Sequence, residues 1–140
     1  MDELIYNPFG LLILDKLYEV YRTKYIFHKT EIDVTIDVDM VKEIEFLIDF
    51  LKDYDKWFKN ITQKSLFEDL LKKKNDYWIE LGDNKITKEE LINKISLKRI
   101  EFMLFPYITL IYNDNNVFYD HDIVIELNCR DYENISLNVK

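Results

Sequence analysis

Alanine is missing altogether from this 140-residue chain, and glycine and proline occur only twice each. Gly10 and Gly82 are too few and too far apart for a phosphate-cradling loop or a dinucleotide fingerprint, both of which need several glycines within one turn. The one cysteine, Cys129, excludes an internal disulfide and fits a reducing compartment. Two histidines, His28 and His121, form with it no C-x-x-C or H-x-x-x-H spacing for a transition metal. Three serines, Ser65, Ser96 and Ser136, stand in no G-x-S-x-G context, which removes the nucleophile elbow. His28-Lys29-Thr30 is a single H-x-T, where a phosphodiesterase built on paired H-x-T units needs a second copy. The apolar run Leu11–Leu14 is far too short to span a membrane, and Met1-Asp2-Glu3 is acidic where an export signal is basic. The expected location is the cytoplasm, and no cofactor is expected.

What is present belongs to a folded protein. A 17.1 kDa chain that is 48% hydrophobic and 15% aromatic has enough apolar surface to build a core without disulfide or metal, and a single α+β domain over residues 1–140 is expected. The net charge of −8 is uneven. Residues 31–55 carry a net −7, residues 56–99 a net +4, and residues 100–140 a net −5. Such a chain repels nucleic-acid phosphates and attracts a basic partner.

Periodicity divides the chain into strands, helices, then strands. Phe9–Leu14, Leu17–Phe27 and Glu31–Val38 read as an antiparallel meander, the last with Ile32, Val34, Ile36 and Val38 on one face. Asp39 sits where an N-cap belongs, and Val41, Ile44, Leu47, Ile48, Leu51 and Tyr54 then form a helical stripe. A second amphipathic stretch runs from about Thr62 to Leu81, through Trp78, with Gly82 as its C-cap. Thr87-Lys88-Glu89-Glu90 is a capping box opening a short helix to about Ile95. Leu97–Phe105, Tyr107–Tyr112, Val117–Asn128 and Glu133–Val139 return to strand chemistry. The expected architecture is α+β: an N-terminal antiparallel meander, two to three central helices and C-terminal antiparallel strands, in one sheet packed on helices.

Residues 112–128, YNDNNVFYDHDIVIELN, gather four carboxylates, four asparagines and a histidine. Asn113–Asn116 is turn chemistry, because Asn and Asp tolerate left-handed dihedrals. If Val117–Asn128 is one strand, Val117, Tyr119, His121, Ile123, Ile125, Leu127 and Cys129 share one face. Phe118, Asp120, Asp122, Val124, Glu126 and Asn128 then share the other, so His121 is expected on the core side, away from the aspartates beside it in sequence. A calcium loop fails as well, since the sixth residue from Asp114 is Tyr119 rather than Gly. Glu45 and Asp49, i and i+4 on the first helix, read as a solvated face. Cys129 reads as a buried, inert thiol.

The remaining candidate is a surface. The outward sides of Glu31–Asp37 and Asp120–Glu126 are acidic ridges, and if they share a sheet they make a negative face. The expected partner-binding residues are Asp33, Thr35, Asp37, Phe118, Asp120, Asp122 and Glu126, with no catalytic or metal residues. The partner would be a basic protein, a toxin domain or a nucleic-acid-binding protein, with no direct contact to nucleic acid or membrane. Two alternatives stay open: a small hydrolase or nucleotide-processing enzyme around His121, and a homo-oligomeric subunit pairing through Leu97–Phe105 at a sheet edge.

Phe9-Gly10-Leu11-Leu12-Ile13-Leu14-Asp15, and Tyr112 to Ile123 near the other end, carry a resemblance. They are similar to a family of small uncharacterised bacterial domains with an F-G-x-L-x-L-D opening and a Y-x-D-G-D-x-F-W-G-H-x-I signature. Asn115 and Asp120 stand for its glycines, Asn116 for Asp and Tyr119 for Trp, while Phe118, His121 and Ile123 hold their places. In size and acidity the chain also resembles bacterial immunity proteins, small inhibitors that neutralise a toxin by direct binding. That likeness implies a non-enzymatic, immunity-type inhibitor.

Overall fold

The computed structural model describes residues 3–6, 8–77, 85–115, 117–119, 121–131 and 134–140. The strands are β1 (Glu3–Tyr6), β2 (Gly10–Asp15), β3 (Val20–Phe27), β4 (Thr30–Asp37), β5 (Ser96–Leu104), β6 (Tyr107–Asn113), β7 (Ile123–Asn128) and β8 (Asn134–Val139). Between β4 and β5 lie a 3-10 turn (Val38–Glu43) and helices α1 (Ile44–Lys52), α2 (Tyr54–Thr62), α3 (Ser65–Tyr77) and α4 (Lys88–Lys94). The eight strands form one sheet in sequence order, antiparallel throughout except for the parallel pair β4–β5. The α+β architecture with central helices is therefore as expected, and the meander gains a fourth strand, β1, paired with β2.

Local chemistry explains the boundaries. Strand β2 does not run straight into β3, because the Asp15 carboxylate accepts from the amides of Leu17 (3.1 Å) and Tyr18 (3.3 Å) and closes a turn over residues 16–19. At the end of β4 the N-cap is Asp37 rather than Asp39: its carboxylate accepts from Asp39 N at 2.8 Å and starts the 3-10 turn. The stripe expected from Val41 to Tyr54 breaks at Asp53, where α2 begins. Trp57 folds back across the break, stacked on Phe50 at 4.3 Å and donating from Nε1 to the Phe50 carbonyl at 2.9 Å. The second stretch becomes α3, and its expected end at Trp78 and Gly82 lies outside the described residues. The capping box forms as expected, with Thr87 accepting from Glu90 N and Glu90 accepting from Thr87 N, both at 3.2 Å.

Parallel pairing of β4 and β5 requires a long crossover, and the four helices supply it. Ile44, Leu47, Phe50 and Leu51 of α1, Trp57 and Ile61 of α2, and Phe67 and Leu70 of α3 pack into one core with Ile32, Val34 and Ile36 of β4. Ile100 and Phe102 of β5, Ile108 and Leu110 of β6, and Ile123, Ile125 and Leu127 of β7 complete it. Each such side chain contributes about 1.5–3 kcal/mol when fully buried. Strand β5 lies between β4 and β6, hydrogen-bonded on both sides, so Leu97–Phe105 is no edge and cannot pair across subunits. Among the described residues, the other face of the sheet carries no helix.

Strand β3 turns into β4 through His28 (φ 49) and Lys29 (φ 66), two left-handed residues between the paired Phe27 and Thr30. This two-residue hairpin geometry favours Asn-Gly, and here neither residue is glycine. Lys29→Gly is therefore expected to stabilise the protein by about 0.5–1 kcal/mol, read as a higher urea midpoint at unchanged slope.

Candidate functional site

Register decides which side chains meet on the open face. Asp33 has Lys24 of β3 and Arg99 of β5 as its lateral neighbours, and Thr35 has Arg22 and Glu101. Farther across, Thr109 of β6 separates Glu101 from Glu126 of β7. The acidic strands β4 and β7 thus share a sheet and a face but are not adjacent. Two strands stand between them, a separation of about 14 Å. The two ridges therefore lie on one face of one sheet, as separate strips. Lys24 bonds Asp33 at 2.9 Å, Arg22 bonds Asp15 at 3.2 Å and Arg99 reaches Glu101 at 3.2 Å. Acidic β4 is therefore flanked by cations on both sides. Screened by solvent, such exposed pairs add little stability, but they alternate the sign of charge across the face.

The expected contact residues fare differently. Asp33 is exposed beside Lys24, and Glu126 is half-buried on the outward side of β7. Asp37 is committed to the cap of the 3-10 turn, and Asp122 is bound to Lys98 Nζ at 2.6 Å. Thr35 is buried, 7% exposed. Asp120 lies outside the described residues. Phe118 cannot be a surface contact, because it is wholly buried in the core.

Phe118 and His121 depart from the expected faces for one reason: alternation from Val117 requires a strand there, whereas β7 begins at Ile123. Asn115 (φ 47) and Tyr119 (φ 55) are left-handed, so the side chains of the described residues before β7 do not alternate as in a strand. Val117 and Phe118, neighbours in sequence, are both buried, and His121 is exposed rather than core-side. Asp114, only 2% exposed, organises the turn. Its carboxylate accepts from Phe118 N at 2.8 Å and its carbonyl accepts from Val117 N at 3.0 Å. Asn113 accepts from Asn115 N at 2.8 Å, and the Asn115 amide reaches the Lys94 carbonyl at the end of α4. From α3, the Lys74 ammonium lies 5.4 Å from the centre of the Tyr119 ring. The cluster of Asn and Asp serves to plug Phe118 into the core.

At the same end of the sheet, His28 stacks on Phe27 at 4.1 Å and meets Tyr54 edge-on at 5.5 Å. They border a hollow of about 170 Å³ with Thr30, Ile95, Ser96 and Leu97, and His121 does not line it. Among the described residues no three of His, Cys, Asp and Glu are grouped to hold a metal ion. Behind the hollow the hydroxyls of Tyr54 and Tyr112 share a 2.8 Å hydrogen bond. Burial pushes Tyr54 up to about 12 and Tyr112 well above its ordinary value. The shared hydrogen bond lowers Tyr54 and raises Tyr112. Burial also lifts the Cys129 thiol to about 11, which keeps it protonated at neutral pH and inert.

A trough crosses the open face above β4. One hollow of about 560 Å³ is walled by Leu11, Ile13, Arg22, Lys24, Asp33 and Arg99, and a second of about 240 Å³ by Tyr18, Val20, Glu101 and Met103. Ile5, Leu11, Ile13 and Ile26 expose apolar surface around it, Ile13 at 54% and Ile26 at 62%. Little in the sequence pointed to this, because Leu11 and Ile13 sit in an unbroken apolar run where inward and outward positions look alike. Only the alternation around Arg22 and Lys24 in β3 hinted at an outward side.

Fold and face together define a helix-backed antiparallel sheet with one bare side of mixed charge. No described helix is long and apolar enough to cross a membrane. The chain belongs to the bacterial family described as "Uncharacterized protein conserved in bacteria (DUF2262)", whose pattern matches residues 7–135. No curated protein and no solved structure matches it.

Asp114→Ala is expected to cost about 1–3 kcal/mol in urea unfolding, because it leaves buried amides unsatisfied, and Asp114→Asn, which keeps an acceptor, should cost less. Alkaline behaviour follows from the tyrosine pair. Both groups are raised in the folded protein, so their contribution is complete below the ordinary value near 10 and is lost as pH rises through about 12. Ultraviolet titration should therefore leave two of the ten tyrosines un-ionised until the protein unfolds in that window.

Proposed function

We propose that this chain is a non-enzymatic binding protein of the immunity or inhibitor type. It acts in the cytoplasm and docks a basic protein, a toxin domain or a nucleic-acid-binding protein, on the open face of its sheet. The observation that carries this reading is the composition of the bare face. Seven carboxylates occupy its outward strand positions (Glu3, Asp15, Glu31, Asp33, Asp37, Glu101 and Glu126) against Arg22, Lys24 and Arg99. Exposed Ile13 and Ile26 stand among them. Excess negative charge steers a cationic partner toward the face, and the aliphatic side chains supply apolar area to anchor it. The alternating cations would set its register, since a uniformly basic surface would meet Arg22 and Arg99 unfavourably.

Wild-type protein immobilised in lysate of the source organism should retain one basic protein, with affinity that falls as salt rises. Asp33→Lys combined with Glu126→Lys should weaken that complex about ten- to hundredfold while the circular dichroism spectrum is kept. Equal retention by both forms would remove the acidic face from the interaction.

A further inference from the structure

Thr35 lies at the middle of β4, on the side away from the helices, yet it is only 7% exposed. Its hydroxyl receives one long hydrogen bond, from Arg22 Nη1 at 3.4 Å, and among the described residues it donates to none. A hydroxyl buried to this degree ordinarily finds an acceptor. The two hollows of the trough meet here, because Arg22, Thr35 and Arg99 line both. Arg22 places Nε on Asp15. Arg99 touches Glu101 through Nε at 3.2 Å, and its two Nη groups engage no other described residue.

The waist of the trough thus presents a hydroxyl donor and guanidinium donors from two flanking strands, with Leu11 and Ile13 walling the larger hollow beside it. Donors converging next to apolar walls suit a ligand with an acceptor-rich, negatively charged head and an apolar body. The charge of the head is limited by its surroundings. Each nearby cation already faces a carboxylate: Arg22 with Asp15, Lys24 with Asp33, Arg99 with Glu101. A dianion would meet those three carboxylates at close range, and a single charge is better tolerated. The larger hollow, about 560 Å³, falls in the range of small-molecule sites.

We propose that this trough binds a small amphipathic monocarboxylate. Its carboxylate sits at Thr35 between Arg22 and Arg99, and its apolar body lies along Leu11 and Ile13. The site needs no protein partner, so it stands or fails independently of the docking reading.

The test is a titration of isotope-labelled protein with octanoate, followed by amide shifts and calorimetry, with acetate, octanol and octylammonium run in parallel. Octanoate should bind saturably, with shifts centred on Ile13, Arg22, Thr35 and Arg99. Acetate and octanol should bind at least about tenfold more weakly, and octylammonium not at all. Thr35→Val removes the donor at nearly constant shape, and Arg99→Gln removes a charge from an exposed position. Each should weaken octanoate at least about fivefold and leave octanol unchanged. Should Thr35→Val lower stability, the exposed Arg99→Gln carries the comparison. The proposal is overturned if octanol binds as tightly as octanoate, if both variants bind octanoate like wild type, or if no saturable shift appears by about 10 mM.

Discussion

Parallel pairing of β4 with β5 at the centre of an otherwise antiparallel sheet organises the whole molecule. Adjacent parallel strands cannot be joined by a tight turn, so the chain must leave the end of β4, travel back and re-enter at Ser96. Every helix belongs to that return path, and their apolar stripes bury against Ile32, Val34 and Ile36 on one side of the sheet. Among the described residues, no layer covers the other side. A sheet with one uncovered face has to solvate it with polar side chains or offer it to a ligand. Here Arg22, Lys24, Asp33, Arg99 and Glu101 alternate across it while Ile13 and Ile26 remain exposed among them.

Asn113, Asp114 and Asn115 have the opposite role. Their polar side chains look like a site in the sequence, but they are spent on holding a turn. Asp114 is buried against the amide of Phe118, and Phe118 enters the core as a result. Asn at position 115 takes a left-handed conformation and spans to the end of α4. The resemblance to the bacterial family rests partly on this segment, and the geometry gives its Phe and Asp a structural meaning. They fix the entry to β7 and connect it with α3 and α4.

Much of the fold was legible because burial and period coincide. Ile32, Val34 and Ile36 alternate cleanly against Asp33, Thr35 and Asp37, and β4 follows that pattern. Thr87 and Glu90 announce α4, and its cap forms with both reciprocal bonds. The failures came where local chemistry interrupts a period. Asp15 turned the chain before Val20, a further helix, α2, begins after Asp53 where none was expected, and the left-handed residues at 115 and 119 broke the parity that placed His121 inside. The candidate face was half readable. The sequence showed that Asp33 and Glu126 point outward, but not what stands next to them.

By itself, then, the sequence determined the strands–helices–strands order, the inward faces of β4 and β7 and the excess of negative charge. These follow from side-chain period and composition, which are properties of short stretches. Only the tertiary structure decided that Lys24 and Arg99 flank Asp33, that two strands separate the acidic ridges, and that Thr35 is buried with Arg22 and Glu101 beside it. Those that run from β4 to β5 or β7 join residues more than sixty positions apart. Strand order and register set them, and no local pattern encodes which strand will lie beside which.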